Sequence, residues 1–128
     1  MNWFAQWTAG TAAVVATFAL FGGAAHAADP TGVFRVEGMN PGGQGQYTGQ
    51  VIVEGTGETY SVTWEIEGVV MQGVGIAYFG MPAHLSVAFN SDQNYGVAHF
   101  TATDDGNWTG TWAGYGGEVQ GSELWTRQ

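Results

Sequence analysis

Short runs of alternating apolar and polar residues, each closed by glycine or by Asp and Asn, make up most of the chain after residue 30. A period of two places successive side chains on opposite faces of a β-strand, and Gly, Asp and Asn favour tight turns. No segment there shows the 3.6-residue period of a helix, so the pattern predicts an all-β domain. The eight predicted strands are Gly32–Glu37, Gln46–Glu54, Thr59–Ile66, Val69–Ala77, His84–Asn90, Gly96–Thr103, Asn107–Ala113 and Val119–Thr126.

The links between these strands are short. Gly55-Thr56-Gly57 and Glu67-Gly68 are typical of tight antiparallel hairpins. Consecutive hairpin-linked strands form a meander, which avoids exposed edges by closing on itself. We therefore predict an antiparallel up-and-down eight-stranded barrel or a strongly coiled meander. A barrel of this size either fills its interior with side chains or holds one small ligand, and the periodicity leaves both open.

Glycines inside the predicted strands are the unusual feature. They normally weaken a strand, but strongly coiled barrels use them to bend sharply, with an aromatic neighbour covering the gap. We interpret them as sites of barrel curvature. They are Gly49, Gly73, Gly75, Gly110 and Gly121.

The first 27 residues have a different composition. Residues 9–25 are uncharged and apolar, and Ala25-His26-Ala27 is the small-x-small site of a secretory signal peptide. We expect cleavage after Ala27, export to the periplasm or the extracellular space, and one small β-barrel domain over residues 28–128. The alternative is a membrane anchor, for which the run is marginally short; after cleavage we expect no stable membrane insertion. One departure is that the first eight residues contain no Lys or Arg.

The charge of the chain restricts its partners. The chain has eleven acidic residues and two basic ones, Arg35 and Arg127, which gives a formal net charge of −9. It contains no Lys and no Cys. Cationic patches supply most of the affinity for nucleic acids and anionic membranes. We therefore expect no nucleic-acid partner, and without disulfides the fold must rest on backbone pairing and aromatic burial.

Aromatic residues cluster on the faces predicted to point inward. Tyr60 and Trp64 share one face of the third strand, and Trp108 and Trp112 share one face of the seventh. Together with residues such as Phe89, they form a candidate cup for a small apolar or aromatic ligand. The alternative is that these side chains simply fill the barrel.

The C-terminal segment resembles the avidin/streptavidin family of eight-stranded barrels. The segment Trp108-Thr109-Gly110-Thr111-Trp112 is similar to that family's Trp-Ser-Gly-Gln-Tyr strand, and Gly116-Gly117-Glu118 and Leu124-Trp125-Thr126 resemble the following loop and last strand. The resemblance implies a calycin-like barrel with Trp108 and Trp125 lining a ligand pocket. It is confined mainly to residues 107–126. Upstream, Phe34 stands where the family has Trp, and Arg35-Val36 replaces polar groups that contact biotin, so biotin binding is not implied.

The polar residues do not form a recognisable catalytic or metal site. His84 and His99 lack metal-ligand spacing and further ligands, so we predict no metal and no cofactor. Glu65 and Glu67 are spaced like a glycosidase pair on one strand face, but two such acids on the polar side of a hairpin are usually solvated. We predict that the protein is not an enzyme.

Three functions remain open at this point. The leading hypothesis is an exported non-catalytic barrel that binds a small apolar or aromatic ligand, or a protein partner. Its candidate ligand-binding residues are Tyr60, Trp64, Trp108, Trp112 and Trp125. The second is a purely structural, envelope-associated module with a packed aromatic core. The third is an exported hydrolase that uses Glu65 or His99.

Overall fold

The structure, a computed structural model, describes residues 29–92 and 94–128. These residues form a closed barrel of eight antiparallel strands in sequential order, in which the last strand pairs with the first. The predicted all-β class and up-and-down barrel are thus confirmed. The predicted signal peptide, residues 1–27, lies outside the described residues. The strands are β1 Gly32–Met39, β2 Gln46–Thr56, β3 Thr59–Ile66, β4 Val69–Tyr78, β5 His84–Asn90, β6 Tyr95–Ala102, β7 Trp108–Gly114 and β8 Gly121–Arg127.

The helical content of the described chain is one 3₁₀ turn, Pro41–Gly43, between β1 and β2. No helix in the part of the chain that the structure describes is long and apolar enough to cross a membrane. The connections alternate between the two ends of the barrel. The β1–β2, β3–β4, β5–β6 and β7–β8 connections lie at one end, and the remaining connections lie at the other, where β1 begins and β8 finishes.

The end of the barrel at which β1 begins is tightly packed. Phe34, Phe100, Trp108 and Trp125 are fully buried there, and the Trp125 ring centroid lies 4.0 Å from that of Phe100 and 5.5 Å from that of Phe34. Burying large apolar side chains is the dominant stabilising contribution in such a fold. We call this the sealed end.

Arg127 covers the sealed end. Its guanidinium carbon lies 4.6 Å from the centroid of the Phe34 ring. Its Nη1 and Nη2 atoms donate to the carbonyl oxygens of Thr31 and Asp29, both at 2.7 Å. A cation over a ring face is attracted by the ring's negative charge, so this side chain ties the end of β8 to the segment before β1.

Aromatic rings cover two of the five strand glycines named from the sequence, while backbone atoms and aliphatic side chains lie nearest Gly49, Gly73 and Gly75. Gly110 lies opposite Phe100 and Gly121 lies opposite Trp112, and a Cβ at either glycine would overlap the opposing ring. Gly38 and Tyr47 form the same kind of pair on β1 and β2. Because glycine has no side chain, each glycine of these pairs leaves space for the aromatic ring of the residue opposite it.

The glycine–ring pairs predict a position-specific cost for adding one methyl group. In Gly110→Ala the new Cβ meets the Phe100 ring and the carbonyl oxygen of His99, so we expect the free energy of unfolding to fall by about 1–3 kcal/mol. The matched control is Gly55→Ala, because nothing lies within 4 Å of a Cβ at Gly55 on β2; its change should stay within about 0.5 kcal/mol. Urea denaturation measures both, and equal losses would contradict the argument.

Candidate functional site

The end of the barrel opposite the sealed end is hollow. A partly enclosed cavity of about 390 Å³ lies there, within the range of small-molecule sites, which is roughly 300–1,000 Å³. Polar residues of three connections stand at its mouth, and apolar and aromatic side chains line its walls. The lining residues are Asn40, Tyr47, Trp64, Ile66, Glu67, Val69, Met71, Phe89, Ser91, Asn94, Ala98, Phe100, Trp112 and Glu123.

Glu123 lies where the cavity meets the packed core. It is on the inward face of β8, two residues before Trp125, and is only 6% exposed. Its Oε1 accepts hydrogen bonds from Trp64 Nε1 at 3.1 Å and Trp125 Nε1 at 2.8 Å, and its Oε2 accepts one from the Tyr47 hydroxyl at 2.6 Å. Donors from β2, β3 and β8 thus converge on one buried carboxyl group.

The surroundings of Glu123 shift two pKa values. Burial raises the pKa of the Glu123 carboxyl, and the three hydrogen bonds oppose that rise. Burial and the nearby Glu123 charge raise the pKa of Tyr47 far above its usual range. Tyr47 therefore remains protonated at any ordinary pH and serves as a hydrogen-bond donor to the carboxyl group.

Four aromatic rings continue from this carboxyl group around the cavity. The ring centroids of Tyr47 and Trp112 are 6.5 Å apart, those of Trp112 and Phe89 are 6.3 Å apart, and those of Phe89 and Trp64 are 5.9 Å apart, all edge to face. Glu123 connects the first and last of these rings, because it accepts hydrogen bonds from both Tyr47 and Trp64. We call these five residues the aromatic cup.

Trp112 contributes a further polar group to the cup. Its Nε1 is buried without a well-formed hydrogen bond to any described residue. Its indole packs on Gly121, where a side chain would displace it. The Nε1 of Trp108 in the packed core is in the same state, so the N–H of Trp112 does not by itself indicate a ligand.

The five candidate ligand-binding residues fall at different depths. Trp64 and Trp112 line the cavity. Trp125 lies beneath Glu123, and Trp108, opposite Trp125, belongs to the packed core of the sealed end. Tyr60 is half-buried toward that same end. Residues four apart on one strand share a face but are separated by about 13 Å. Tyr60 is therefore distant from Trp64 along β3, and Trp108 is distant from Trp112 along β7.

Sequence reasoning missed two members of the cup, Glu123 and Tyr47. The alternation of β8 did contain the signal for Glu123: a residue two positions before an inward-facing Trp125 must also face inward. The acidic residues were instead interpreted as solvated, which is the usual state of a carboxylate. Tyr47 stands at the start of β2, where the alternation is interrupted by Gly45 and Gly49.

The acids expected to share one strand face are separated by the fold. Glu65 lies on the outer face of β3, but β3 ends at Ile66, and Glu67 occupies the following turn with a φ of 53°. Glu67 lies at the mouth of the cavity instead. The prediction that they share a strand face is therefore wrong, because Glu67 belongs to the hairpin link Glu67-Gly68 and its backbone is no longer extended.

The two described histidines lie together on the outer surface. His99 Nε2 is 3.2 Å from His84 Nδ1, and His99 Nδ1 is 3.0 Å from Ser86 Oγ. The hydrogen-bond partners of His99 are thus two side chains of β5, Ser86 and His84. Among residues 29–92 and 94–128, no group of three or more His, Cys, Asp or Glu side chains is placed to hold a metal ion.

A second surface feature lies on the outside of β4 to β7. Val74, Ile76 and Val97 are 56–64% exposed there and line a shallow groove of about 500 Å³ whose lining residues carry no formal charge. Exposed apolar patches of this kind are common at protein–protein contacts.

Comparison with known proteins identifies no family for the chain. No protein-family model matches it, and no curated protein matches it.

The raised pKa of Glu123 predicts a pH-dependent contribution to stability. Because the carboxyl binds a proton more tightly in the folded than in the unfolded state, protonation favours folding. The free energy of unfolding of the wild type, relative to Glu123→Gln, should increase as pH falls from the folded-state pKa toward the unfolded-state pKa. Urea denaturation over a series of pH values tests this.

A second variant locates the cause of that pH dependence. Trp64→Phe removes one hydrogen-bond donor to Glu123, which should raise the pKa of Glu123 further. The rise in the free energy of unfolding on acidification should then begin at a higher pH than in the wild type. A pH dependence identical in the wild type and in Glu123→Gln would contradict the assignment to Glu123.

Proposed function

We propose that this protein is a non-catalytic binding protein that holds one small ligand in the aromatic cup. The observation that carries the proposal is the partly enclosed cavity of about 390 Å³ at one end of a barrel whose other end is fully packed. Aromatic walls with a few converging polar groups are typical of ligand sites. Export to the periplasm or the extracellular space, inferred from residues 1–27, remains part of this proposal.

The two alternative functions have less support in the site. A purely structural module needs no cavity, because filling the barrel with side chains gives more stability than leaving it open. A hydrolase that uses Glu65 or His99 would have to act on the outer surface, since both residues lie there and neither lines the cup.

The architecture is compatible with an avidin-like fold, because both are eight-stranded antiparallel barrels. The proposed pocket nevertheless differs from the one that the sequence resemblance implies. Trp108 and Trp125 are fully buried beneath Glu123, and the proposed ligand contacts come from Tyr47, Phe89 and Trp112 with Trp64. We do not propose biotin as the ligand.

A second candidate function is docking of a protein partner on the outer face of β4 to β7. The exposed side chains of Val74, Ile76 and Val97 favour it, and another copy of this chain is the partner to test first. Because the groove lining is uncharged in a chain of net charge −9, two copies can meet there without direct like-charge contact. Light scattering of the wild type and of Val97→Glu tests this pairing: a wild type with the mass of one chain rules out self-association on this face.

Ligand binding in the cup is tested with a neutral apolar dye. We expect N-phenyl-1-naphthylamine to gain fluorescence with the native protein and to lose it on unfolding. Ala98→Leu should weaken dye binding by about ten-fold or more, because Ala98 lines the cavity and its added side chain takes up that space.

The matched control is Ser122→Leu, which places the same side chain at an exposed position on the outer face of β8, outside the linings of both the cavity and the outer groove. It should leave the affinity for the dye within about two-fold of the wild-type value. Circular dichroism confirms that both variants fold. Absence of native-state dye binding, or equal binding by the two variants, would overturn the proposal that the cup is the ligand site.

A further inference from the structure

Glu123 is a buried acid without a cationic partner. The ion pair found among residues 29–92 and 94–128 is Arg35–Glu37, at 3.4 Å on the outer surface. Arg127 is at the sealed end, where it donates to backbone carbonyls, and the chain contains no Lys. A buried carboxylate is normally paired with a positive group. In the described chain the protein supplies hydrogen-bond donors to this carboxyl but no positive charge.

The three hydrogen bonds that Glu123 accepts stabilise its ionised form and oppose the effect of burial on its pKa. An ionised carboxylate accepts through about four lone-pair positions and donates none. Trp64 and Trp125 use two of these positions on Oε1, and Tyr47 uses one on Oε2. Acceptor capacity remains on Oε2, and Glu123 borders the cavity, so a ligand there can reach it.

The aromatic rings add a second attraction for positive charge. Trp64, Phe89, Trp112 and Tyr47 surround the cavity, with neighbouring planes inclined at 64–77° to each other. The face of an aromatic ring carries negative charge and attracts ammonium groups, most strongly for Trp. Rings that surround a cavity beside a carboxylate provide apolar contact and cation attraction together.

The mouth of the cavity has the same sign of charge. Glu67 lines it, and Asp92 and Glu118 lie in the β5–β6 and β7–β8 connections at that end. The described residues of the four connections there include no Lys or Arg. Clefts lined by one sign of charge concentrate ligands of the opposite sign.

From these observations, and resting on the proposed function, we infer that the ligand of the cup is a small organic cation of the alkylammonium class. Its ammonium group contacts Glu123 and the ring faces, and its hydrocarbon part contacts apolar walls such as Ile66 and Met71. A bare metal ion fits poorly, because it needs several oxygen, nitrogen or sulfur ligands and Glu123 is the one carboxylate within the cup.

The test compares cations with uncharged molecules of matching shape. Isothermal titration calorimetry of the wild type would use choline against 3,3-dimethylbutan-1-ol, and hexylammonium against 1-hexanol. We expect at least one cation to bind about ten-fold or more tightly than its neutral counterpart. Glu123→Gln should reduce that preference to about three-fold or less, while Glu65→Gln, on the outer face, should leave it unchanged.

The outcomes separate this inference from the proposed function. Neutral molecules that bind as tightly as the cations, or cations that fail to bind a protein that takes up the neutral dye, would overturn the cation inference and leave the binding function standing. Failure of the dye and of all four molecules would overturn both. The comparison of cations with neutral molecules in the wild type tests the cation inference even if Glu123→Gln does not fold. If Glu123→Gln folds and still prefers cations, the role of Glu123 is overturned.

Discussion

The carboxyl group of Glu123 divides the barrel interior into two parts with different properties. Below it, Trp125 donates to Oε1 and belongs to the packed core with Phe100. Above it, Tyr47 and Trp64 donate to the same carboxyl and face a cavity. Filling the space around this carboxyl group with hydrocarbon would leave its remaining acceptor positions unsatisfied. The hydrogen bonds to Glu123 thus lie at the boundary between the packed core and the cavity.

The glycine–ring pairs explain how a chain of this length encloses rings as large as indole. Trp112 lies over Gly121 and Tyr47 lies over Gly38, across neighbouring strands. A side chain at either glycine would push the ring toward the barrel axis and into the cavity. These glycines therefore leave space in the wall for the rings of the cup, so the volume of the cavity depends on them.

The sequence predicted the features that depend on neighbouring residues better than those that depend on residues far apart in the chain. Strand identity depends on local alternation and turn residues, and the predicted strand bounds fall within two residues of those observed. β1 was predicted too short because Gly38 carries no alternation signal, although it is paired on both sides. The cup depends on contacts between residues as distant as Tyr47 and Glu123. Register and depth along the barrel decide such contacts, so Trp64 and Trp112 were recognised while Glu123 was not.

The contacts of Arg127 bring the two ends of the described chain together. Its guanidinium holds the carbonyls of Asp29 and Thr31, and the Gln128 backbone N–H donates to the Val33 carbonyl at 2.9 Å. Both chain ends therefore leave the barrel on the side farthest from the cup. Attachment to a solid support, a fluorescent label or a neighbouring domain through either end would leave the mouth of the cavity facing solution. The fold thus places both ends of the described chain on the side opposite the mouth of the cavity.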